Sequence, residues 1–346
     1  MLTKIRFTAL LGIGCAVAFT APAARAQTTS ADCRYLVAGH SYANVFGGYI
    51  NAKKYRDLNL PVELGVVPNA GAGVVTFLPG GVVKMTETLV IGQVGALTGG
   101  LTGTYSLKFD TSKTPLLCAG TISATLNGTG VNGVPAITDN FQITVTPEGS
   151  RVEMIHTNPG LIVQTVARPA ETHGCRNGTI GGSYTYSTTG WALAALDPSI
   201  QPTDGVQQCG GYITAAMTGG MQFFPGFPPA AGFDDVPEGA SAMTGWDTLN
   251  ANGGLPSPAN PSVYVPIVRK MWGWYKVNRQ DCSGTMVVRD DTGVDPDFYI
   301  NFYIGEDGRA IYAVNVNTFE LPGLPVPVPL FVMPISMERV NFSGPR

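Results

Sequence analysis

The stretch Cys33-Arg34-Tyr35-Leu36-Val37-Ala38-Gly39-His40-Ser41-Tyr42 returns later in the chain as Cys175-Arg176-Asn177-Gly178-Thr179-Ile180-Gly181-Gly182-Ser183-Tyr184. The Cys, Arg, Gly, Ser and Tyr positions keep their spacing without a gap, and both copies continue to a glycine followed by an aromatic residue, Gly48-Tyr49 and Gly190-Trp191. This repeated spacing predicts an internal duplication. An interpretation of one copy must therefore also fit the other.

A second pair of anchors lies further along each copy. Gly103-Thr-Tyr105 and Gly273-Trp-Tyr275 are each followed by a Cys-x-Gly-Thr stretch. Each copy then has two alternating runs around an acid–glycine turn, which is a strong hairpin signal. The repeats predict two domains, residues 31–168 and 175–340.

The composition favours strands over helices. Only 13% of the residues are charged, whereas the chain contains 44 glycines and 26 prolines, a balance typical of short strands joined by turns. We therefore expect an all-β protein. The net charge is −3, with no basic cluster beyond Lys53-Lys54, so the positive field that nucleic-acid binding requires is missing and no nucleic-acid partner is predicted.

The N-terminus predicts export. Lys4 and Arg6 precede an apolar run from Phe7 to Phe19, and Ala24-Arg25-Ala26 fits a signal-peptidase site, which gives a signal peptide over residues 1–26. A transmembrane anchor is the alternative, although the run is short for a bilayer core of about 30 Å. No later stretch has the ~20 uninterrupted apolar residues of a spanning helix. The mature chain is predicted to be secreted or periplasmic, with no transmembrane segment after signal cleavage.

Export favours disulfide formation, and the repeats suggest which cysteines pair. Each copy holds one cysteine in its opening stretch and one in its Cys-x-Gly-Thr stretch, so the expected bonds are Cys33–Cys118 and Cys175–Cys282. Cys209 is then left over. Pairing across the two domains is the alternative.

The second copy contains a long extra stretch. From Gly219 to Gly273 it uses over fifty residues where the first copy uses about twenty, and we assign residues 221–266 to an insertion rich in proline, glycine and aromatic side chains. Such an insertion is either a lid or binding loop, or a loop without a role. A second Pro-rich apolar stretch, residues 321–333, is predicted to be an edge strand or an extended arm that docks onto another surface.

Several residues are candidates for contacts with a ligand. The repeat places a cation near an aromatic ring in each copy, for which structural packing near the disulfide is the alternative role. The insertion adds further aromatic rings. The candidate ligand-binding residues are Arg34, Tyr42, Arg176, Tyr184, Trp191, Phe223, Phe224 and Phe227.

One stretch resembles a catalytic motif. Gly39-His40-Ser41-Tyr42-Ala43 is similar to the nucleophile elbow of hydrolases, in which a strand–turn–helix exposes the serine. Its fifth position is alanine instead of glycine, and Ser183 in the second copy has no histidine beside it. The motif is therefore a weak indication of hydrolase activity.

Metal and carboxylate chemistry is also weakly indicated. The three histidines lack the spacing of a zinc site, and the acids from Asp290 to Asp297 lack the full spacing of a calcium loop, so a solvated turn is favoured there. No metal or other cofactor is predicted. A carboxylate pair for glycoside hydrolysis stays open, although the only acids that we find repeated are the hairpin-turn residues Glu148 and Asp307.

The Gly-x-Tyr and Cys-x-Gly-Thr stretches, with the hairpins that follow them, resemble a family of uncharacterised secreted bacterial proteins with tandem β-barrels. Those proteins are similar to the small closed barrels of the lipocalin and allene oxide cyclase type. The likeness covers both halves of the chain and implies two tandem antiparallel, calycin-like β-barrels. No catalytic residue of a cyclase corresponds position by position, so the resemblance implies a fold and no activity.

The preferred functional hypothesis is a secreted or periplasmic binding protein that takes an apolar or aromatic small molecule into a barrel, with the insertion as a lid. An eight-stranded barrel can hold one small ligand. One alternative is a structural or surface-interaction protein that contacts other proteins or the outer membrane. The other is a barrel-based enzyme, either a cyclase or isomerase, or a hydrolase that uses Ser41.

Overall fold

The computed structural model describes residues 32–55, 65–110, 117–126, 137–193, 211–251, 255–257, 260–292, 297–319 and 327–340. The predicted signal peptide and Cys209 lie outside these residues. Its strands are β1 (His40–Asn51), β2 (Val66–Leu78), β3 (Val82–Ile91), β4 (Gly95–Asp110), β5 (Leu117–Leu126), β6 (Ile137–Val145), β7 (Val152–His156), β8 (Leu161–Pro169), β9 (Gly182–Leu193), β10 (Tyr212–Phe224), β11 (Ser241–Ala251), β12 (Leu255–Ser257), β13 (Asn260–Val265), β14 (Ile267–Val277), β15 (Ser283–Asp290), β16 (Phe298–Gly305), β17 (Ala310–Asn315), β18 (Thr318–Phe319), β19 (Val328–Pro329), β20 (Phe331–Val332) and β21 (Pro334–Arg339). Short 3₁₀ turns cover Arg34–Leu36, Pro79–Gly81, Asn177–Ile180 and Glu306–Gly308.

Strands β1 to β8 close into one antiparallel barrel in chain order. β1 pairs with β2 on one side and with β8 on the other, so the barrel leaves no open strand edge. Alternate residues of each strand face the interior, as Tyr42 and Phe46 of β1 do. No helix in the described part of the chain is long and apolar enough to cross a bilayer.

The second half of the chain forms another closed antiparallel barrel. β9 pairs with both β10 and β21, and the order around the barrel is β10, β11, β14, β15, β16, β17, β21 and β9. β20 adds a short pairing to β9, and β12–β13 and β18–β19 form separate two-stranded sheets. The all-β fold of two tandem antiparallel barrels is thus confirmed.

Both barrels carry the same contacts at one end. The disulfides Cys33–Cys118 and Cys175–Cys282 lie there, and these are the two pairs that the repeat predicts. Beside each disulfide, three aromatic rings pack edge to face with neighbouring centroids 4.9–5.7 Å apart. The rings are Tyr42, Phe77 and Tyr105 in the first barrel, and Tyr184, Phe223 and Tyr275 in the second.

The barrels pack wall against wall. Ala43, Ala70, Ala72 and Val90 of the first barrel are fully buried and belong to the same apolar cluster as the core of the second. The Thr88 and Tyr303 hydroxyls form a hydrogen bond of 3.3 Å across the contact. One wall of the first barrel is therefore covered by the second.

Residues 221–266 are not one insertion. Their middle is β11, which pairs with β10 and β14 and is part of the barrel wall. The extra residues are the two connections on either side of β11, residues 225–240 and 252–266, of which 252–254 and 258–259 lie outside the described residues. The unequal connections hide the correspondence of β3 and β11 in the sequence.

The described part of the Pro-rich stretch is no extended arm. Leu330, Phe331 and Met333 are buried, and the Phe331 ring lies 5.6 Å from the Phe298 ring. The Tyr212 hydroxyl donates to the Pro329 carbonyl at 2.7 Å. The pairing of β20 with β9 fits the predicted edge strand, but the stretch closes the second barrel instead of extending from it.

Candidate ligand site

The interiors of the two barrels can be compared residue by residue, because their strand pairings share one register. One row of paired residues crosses adjacent strands at the middle of each barrel. The row is Ala167, Asn44, Gly73, Glu87 and Gly99 in the first barrel, and Met337, Tyr186, Gly219, Asp247 and Arg269 in the second.

In the second barrel this row contains a buried ion-pair network. Arg269 donates to both Asp247 oxygens, at 2.8 and 2.7 Å, and to Asp290 Oδ2 at 3.1 Å. Each of the three side chains is at most 4% exposed. The Tyr186 hydroxyl donates to Asp247 at 3.0 Å, and burial raises the pKa of Tyr186 well above its ordinary value, so the hydroxyl keeps its proton. The carboxylates therefore have a cation and hydroxyl donors within the protein.

The rest of the second interior is filled. A cavity of about 40 Å³ remains beside Arg269, far below the ~300–1,000 Å³ typical of ligand pockets. Methionine, an unbranched and adaptable side chain, fits irregular gaps of this kind. Five methionines contribute to the lining, namely Met217, Met221, Met271, Met333 and Met337.

The same row in the first barrel has an acid without the arginine. Glu87 corresponds to Asp247, but Gly99 stands where the second barrel has Arg269. Within the described part of the chain, Glu87 takes part in no ion pair. The Asn44 side chain, 2% exposed, has no partner for its Oδ1. This interior thus contains an acid without an arginine beside it and a buried acceptor, Asn44 Oδ1, without a donor.

A glycine beside each acid is required by close packing. A Cβ on Gly73 would lie 2.8 Å from Glu87 Cβ and 2.5 Å from the Thr86 carbonyl oxygen. A Cβ on Gly219 would lie 2.7 Å from Asp247 Cβ and 2.2 Å from the Trp246 carbonyl oxygen. The glycine–acid pair is therefore a shared feature of the two walls, and only the residue beyond the acid differs.

Two more titratable groups lie near Glu87. Asp139 accepts from the Tyr55 hydroxyl at 2.9 Å, and His156 Nδ1 lies 4.0 Å from the same carboxylate without a hydrogen bond. Asn44, Glu87, Asp139 and His156 are called the polar belt below. In the described residues no three His, Cys, Asp or Glu side chains come together as metal ligands.

Burial shifts the pKa values in the polar belt in opposite directions. It raises the pKa of Glu87 to about 8, and the charge of Asp139 adds to that shift. It lowers the pKa of His156 to about 4. Both groups therefore favour their neutral forms at neutral pH.

The polar belt separates two apolar regions of the first interior. On β1, Tyr42 belongs to the apolar cluster at the disulfide end, and Phe46 belongs to the cluster at the opposite end, with Asn44 between them. Glu87 and Gly99 are only half-buried, whereas Asp247 and Arg269 are 1% and 3% exposed. The first barrel thus keeps accessible surface at the level where the second is filled.

The acid row was missed from the sequence, although a signal exists. Glu87-Thr88-Leu89 and Asp247-Thr248-Leu249 match as acid–Thr–Leu. The statement that only Glu148 and Asp307 repeat as acids is therefore wrong, because Glu87 and Asp247 occupy the same position in the two walls.

The structure places the repeated Arg and Tyr candidates outside the polar belt. Arg34 is partly exposed and Arg176 is exposed, and Arg34 donates to Asp32 at 2.8 Å. Tyr42 and Tyr184 are buried, and their hydroxyls donate to the Gly149 and Gly308 carbonyls. Phe223 packs between two tyrosine rings. These residues form the packed barrel ends.

Phe224 ends β10, and Phe227 lies near the start of residues 225–240, here called the wall loop; their rings are 6.3 Å apart. Arg289, on the outer face of β15, donates to the Gly232 carbonyl at 3.1 Å and stacks on Phe233. The wall loop therefore lies along the outside of the second barrel. A lid would instead lie over the open end of a barrel.

Trp191 lies between the barrels. Its ring contacts Tyr49, the equivalent residue of the first copy, with centroids 5.4 Å apart. The two rings line a cleft of about 630 Å³. Two asparagines on the cleft, Asn69 and Asn250, have buried Oδ1 atoms without a partner. A second cleft of about 690 Å³ lies on the other side of the contact, beside Tyr303.

The Ser41 hydrolase and calcium hypotheses find no matching geometry in the described residues. Ser41 lies inside strand β1 and bonds the Thr76 hydroxyl at 2.8 Å, so the strand–turn–helix of a nucleophile elbow is not formed there. Asp290 is held by Arg269, and Asp297 pairs with Arg289 at 2.6 Å. Asp295 lies outside the described residues.

No protein-family model, curated protein or solved structure matches this chain. The polar belt and the clefts therefore have to be interpreted from their own chemistry.

Proposed function

We propose that this protein is an exported binding protein that takes a small molecule into its first barrel. One observation supports the proposal above the others. At the level where the second barrel is filled by Arg269 and methionines, Glu87 and Gly99 of the first are only half-buried, and two buried polar atoms nearby, Asn44 Oδ1 and His156 Nδ1, have no hydrogen-bond partner. Buried polar groups without partners cost free energy, and a bound ligand can remove that cost.

The ligand in this proposal has an apolar body and a polar group. The apolar clusters on either side of the polar belt suit a hydrocarbon or aromatic body, and the belt suits a hydrogen-bonding group. Two disulfides and the predicted signal peptide support a secreted or periplasmic location. A relationship to calycin-like barrels belongs to this proposal and rests on the barrel fold.

The test starts with native mass spectrometry of the protein purified from its own host. A small-molecule adduct that denaturation releases is expected, together with saturable binding of the neutral dye N-phenyl-1-naphthylamine to the ligand-free protein. A bare chain that also fails to bind the dye would overturn the proposal.

Two matched variants, one in each barrel, test which barrel binds the dye. Ala167→Met gives the first barrel the residue that the second barrel has at this position, and should weaken binding at least about tenfold by filling the interior. Met337→Ala makes the reverse change in the second barrel and should not weaken binding. Equal effects of the two variants would place the dye elsewhere.

A second candidate function is attachment to another protein surface. Trp246 and Val268 lie on the neighbouring outer faces of β11 and β14 and are 55% and 69% exposed. Exposed apolar side chains of this size on adjacent strands are typical of interaction surfaces. Light scattering of the wild-type protein should then show an assembly, and the Trp246→Ser variant should be monomeric. A monomeric wild-type protein would argue against this function.

A further inference from the structure

Resting on the proposed binding function, we propose that the ligand of the first barrel is an organic cation. Its ammonium, amidinium or guanidinium group takes the position that the Arg269 guanidinium has in the second barrel. The ligand thereby supplies to Glu87 the partner that Arg269 supplies to Asp247.

The register supports this assignment directly. Asp247 pairs across the sheet with Arg269, and Glu87 pairs across the sheet with Gly99. Gly99 has no side chain to occupy the position that the arginine side chain fills in the other barrel, and both Gly99 and Glu87 are only half-buried. The acid remains at the same position in both walls, so the space above Gly99 borders a carboxyl group in the same way.

The other groups around that space are also acceptors. Asn44 Oδ1 is buried without a donor, and Asp139 adds a second carboxylate to the interior. An N–H-bearing cation supplies a positive charge to Glu87 once that group is ionised, and a donor to Asn44 Oδ1, whereas a neutral or anionic ligand leaves the ionised Glu87 without a counter-charge. A metal ion is the weaker fit, because no three ligand-type side chains cluster in the described residues.

The second barrel shows the geometry that such a cation adopts. The Arg269 guanidinium donates in a planar, bidentate arrangement to one carboxylate, and its carbon lies 5.4 Å from the Phe298 ring centroid. A ligand with a planar amidinium or guanidinium group reproduces the bidentate contact. In the first barrel, Asp139 stands at the position of Phe298, so a second carboxylate replaces the aromatic contact.

The test compares benzamidine with its neutral counterpart benzamide, by calorimetry at about pH 9, where Glu87 is ionised. We expect benzamidine to bind at least about tenfold more tightly, as a charge-assisted hydrogen bond allows. Glu87→Gln should abolish this preference and keep the binding of benzamide. Glu153→Gln, a glutamate on the exposed side of β7, is the matched control and should change neither affinity.

A second variant tests the position. Gly99→Arg gives the first barrel its own arginine, and it should block benzamidine while the protein keeps its fold. If that variant does not fold, the effect of Glu87→Gln on the preference for benzamidine decides whether the inference holds.

Benzamidine that binds no more tightly than benzamide overturns the inference, and so does a preference that survives Glu87→Gln. Displacement of benzamidine by micromolar Ca²⁺ would also overturn it in favour of a metal. In each of these cases, continued binding of N-phenyl-1-naphthylamine leaves the proposed function standing, and loss of all three probes removes both.

Discussion

The two barrels share a wall pattern and differ in what fills it. The second barrel has Met217, Met221 and Met337 where the first has Gly71, Val75 and Ala167. It also has Arg269 where the first has Gly99. The acid beside this position is present in both. One interior is completed by its own side chains, whereas the other keeps a half-buried carboxyl group with no arginine beside it.

The largest expected effect comes from removing the cation of the second barrel. Arg269→Met leaves Asp247 and Asp290 buried without a cation, and the free energy of unfolding should fall by about 3–5 kcal/mol. Chemical denaturation measures the change. Arg151→Met breaks an exposed pair with Glu153 and should cost less than about 1 kcal/mol.

A rescue variant sharpens this prediction. Combining Arg269→Met with Asp247→Asn and Asp290→Asn removes the buried negative charge and should restore most of the lost stability. A triple variant no more stable than Arg269→Met alone would show that packing, and not charge, sets the role of Arg269.

The next effect is the pH dependence of the first barrel. Because burial raises the pKa of Glu87 to about 8, the unfolded chain releases its proton at lower pH than the folded protein. Folding stability contributed by this group should therefore fall as pH rises from about 4.5 to about 8. Glu87→Gln should be more stable than wild type by on the order of 2 kcal/mol near pH 9, and equal to it near pH 4.

Other groups face Glu87 and set the control. Asp139, His156 and Tyr55 share the first interior, and Tyr303 approaches from the second barrel. The lowered pKa of His156 has the opposite sign, so its contribution is lost as pH falls from about 6.5 to about 4. His156→Gln should remove only that acid branch. A wild-type profile that matches Glu87→Gln at every pH would contradict the raised pKa.

A smaller effect compares the tyrosine hydroxyls at the disulfide ends. Tyr42→Phe removes one hydrogen bond to Gly149, at 2.7 Å, and should cost about 1 kcal/mol. Tyr184→Phe removes the bond to Gly308 and also the one from Arg339 Nε at 3.1 Å, so it should cost about 2 kcal/mol. Pro169 stands at the Arg339 position in the first barrel and offers no such donor. If urea denaturation shows that both variants lose the same unfolding free energy, the hydrogen bond from Arg339 does not contribute to stability.

The smallest effect is expected in the wall loop. Phe227 is 64% exposed on the outside of the second barrel, so Phe227→Ser should change stability by less than about 0.5 kcal/mol. Dye binding in the first barrel should stay the same, because the wall loop does not cover that interior. A marked loss of dye affinity in a fluorescence titration would instead support the hypothesis that the wall loop is a lid.

The fold could be predicted from the sequence where spacing is conserved without gaps. The opening Cys-Arg stretch and the Gly-x-Tyr and Cys-x-Gly-Thr anchors predicted the disulfide pairs and the two domains, and the family resemblance implied that each domain is a barrel. β11 was hidden because the connections around it differ in length from those around β3. The polar belt was hidden for another reason: an arginine replaced by a glycine changes the chemistry of the interior, and single residues of this kind are visible only once the strand register is known.

The buried wall of the first barrel has a consequence for folding during synthesis. β1 to β8 contain all of the first barrel's own strands, so it can close before the second half of the chain emerges. Before β16 and β17 are synthesised and cover this wall, it exposes an apolar surface to water, formed by Ala43, Ala70, Ala72 and Val90. We therefore expect the half-made chain to be the stage most prone to aggregation. Folding of the second barrel then removes this apolar surface of the first barrel from water.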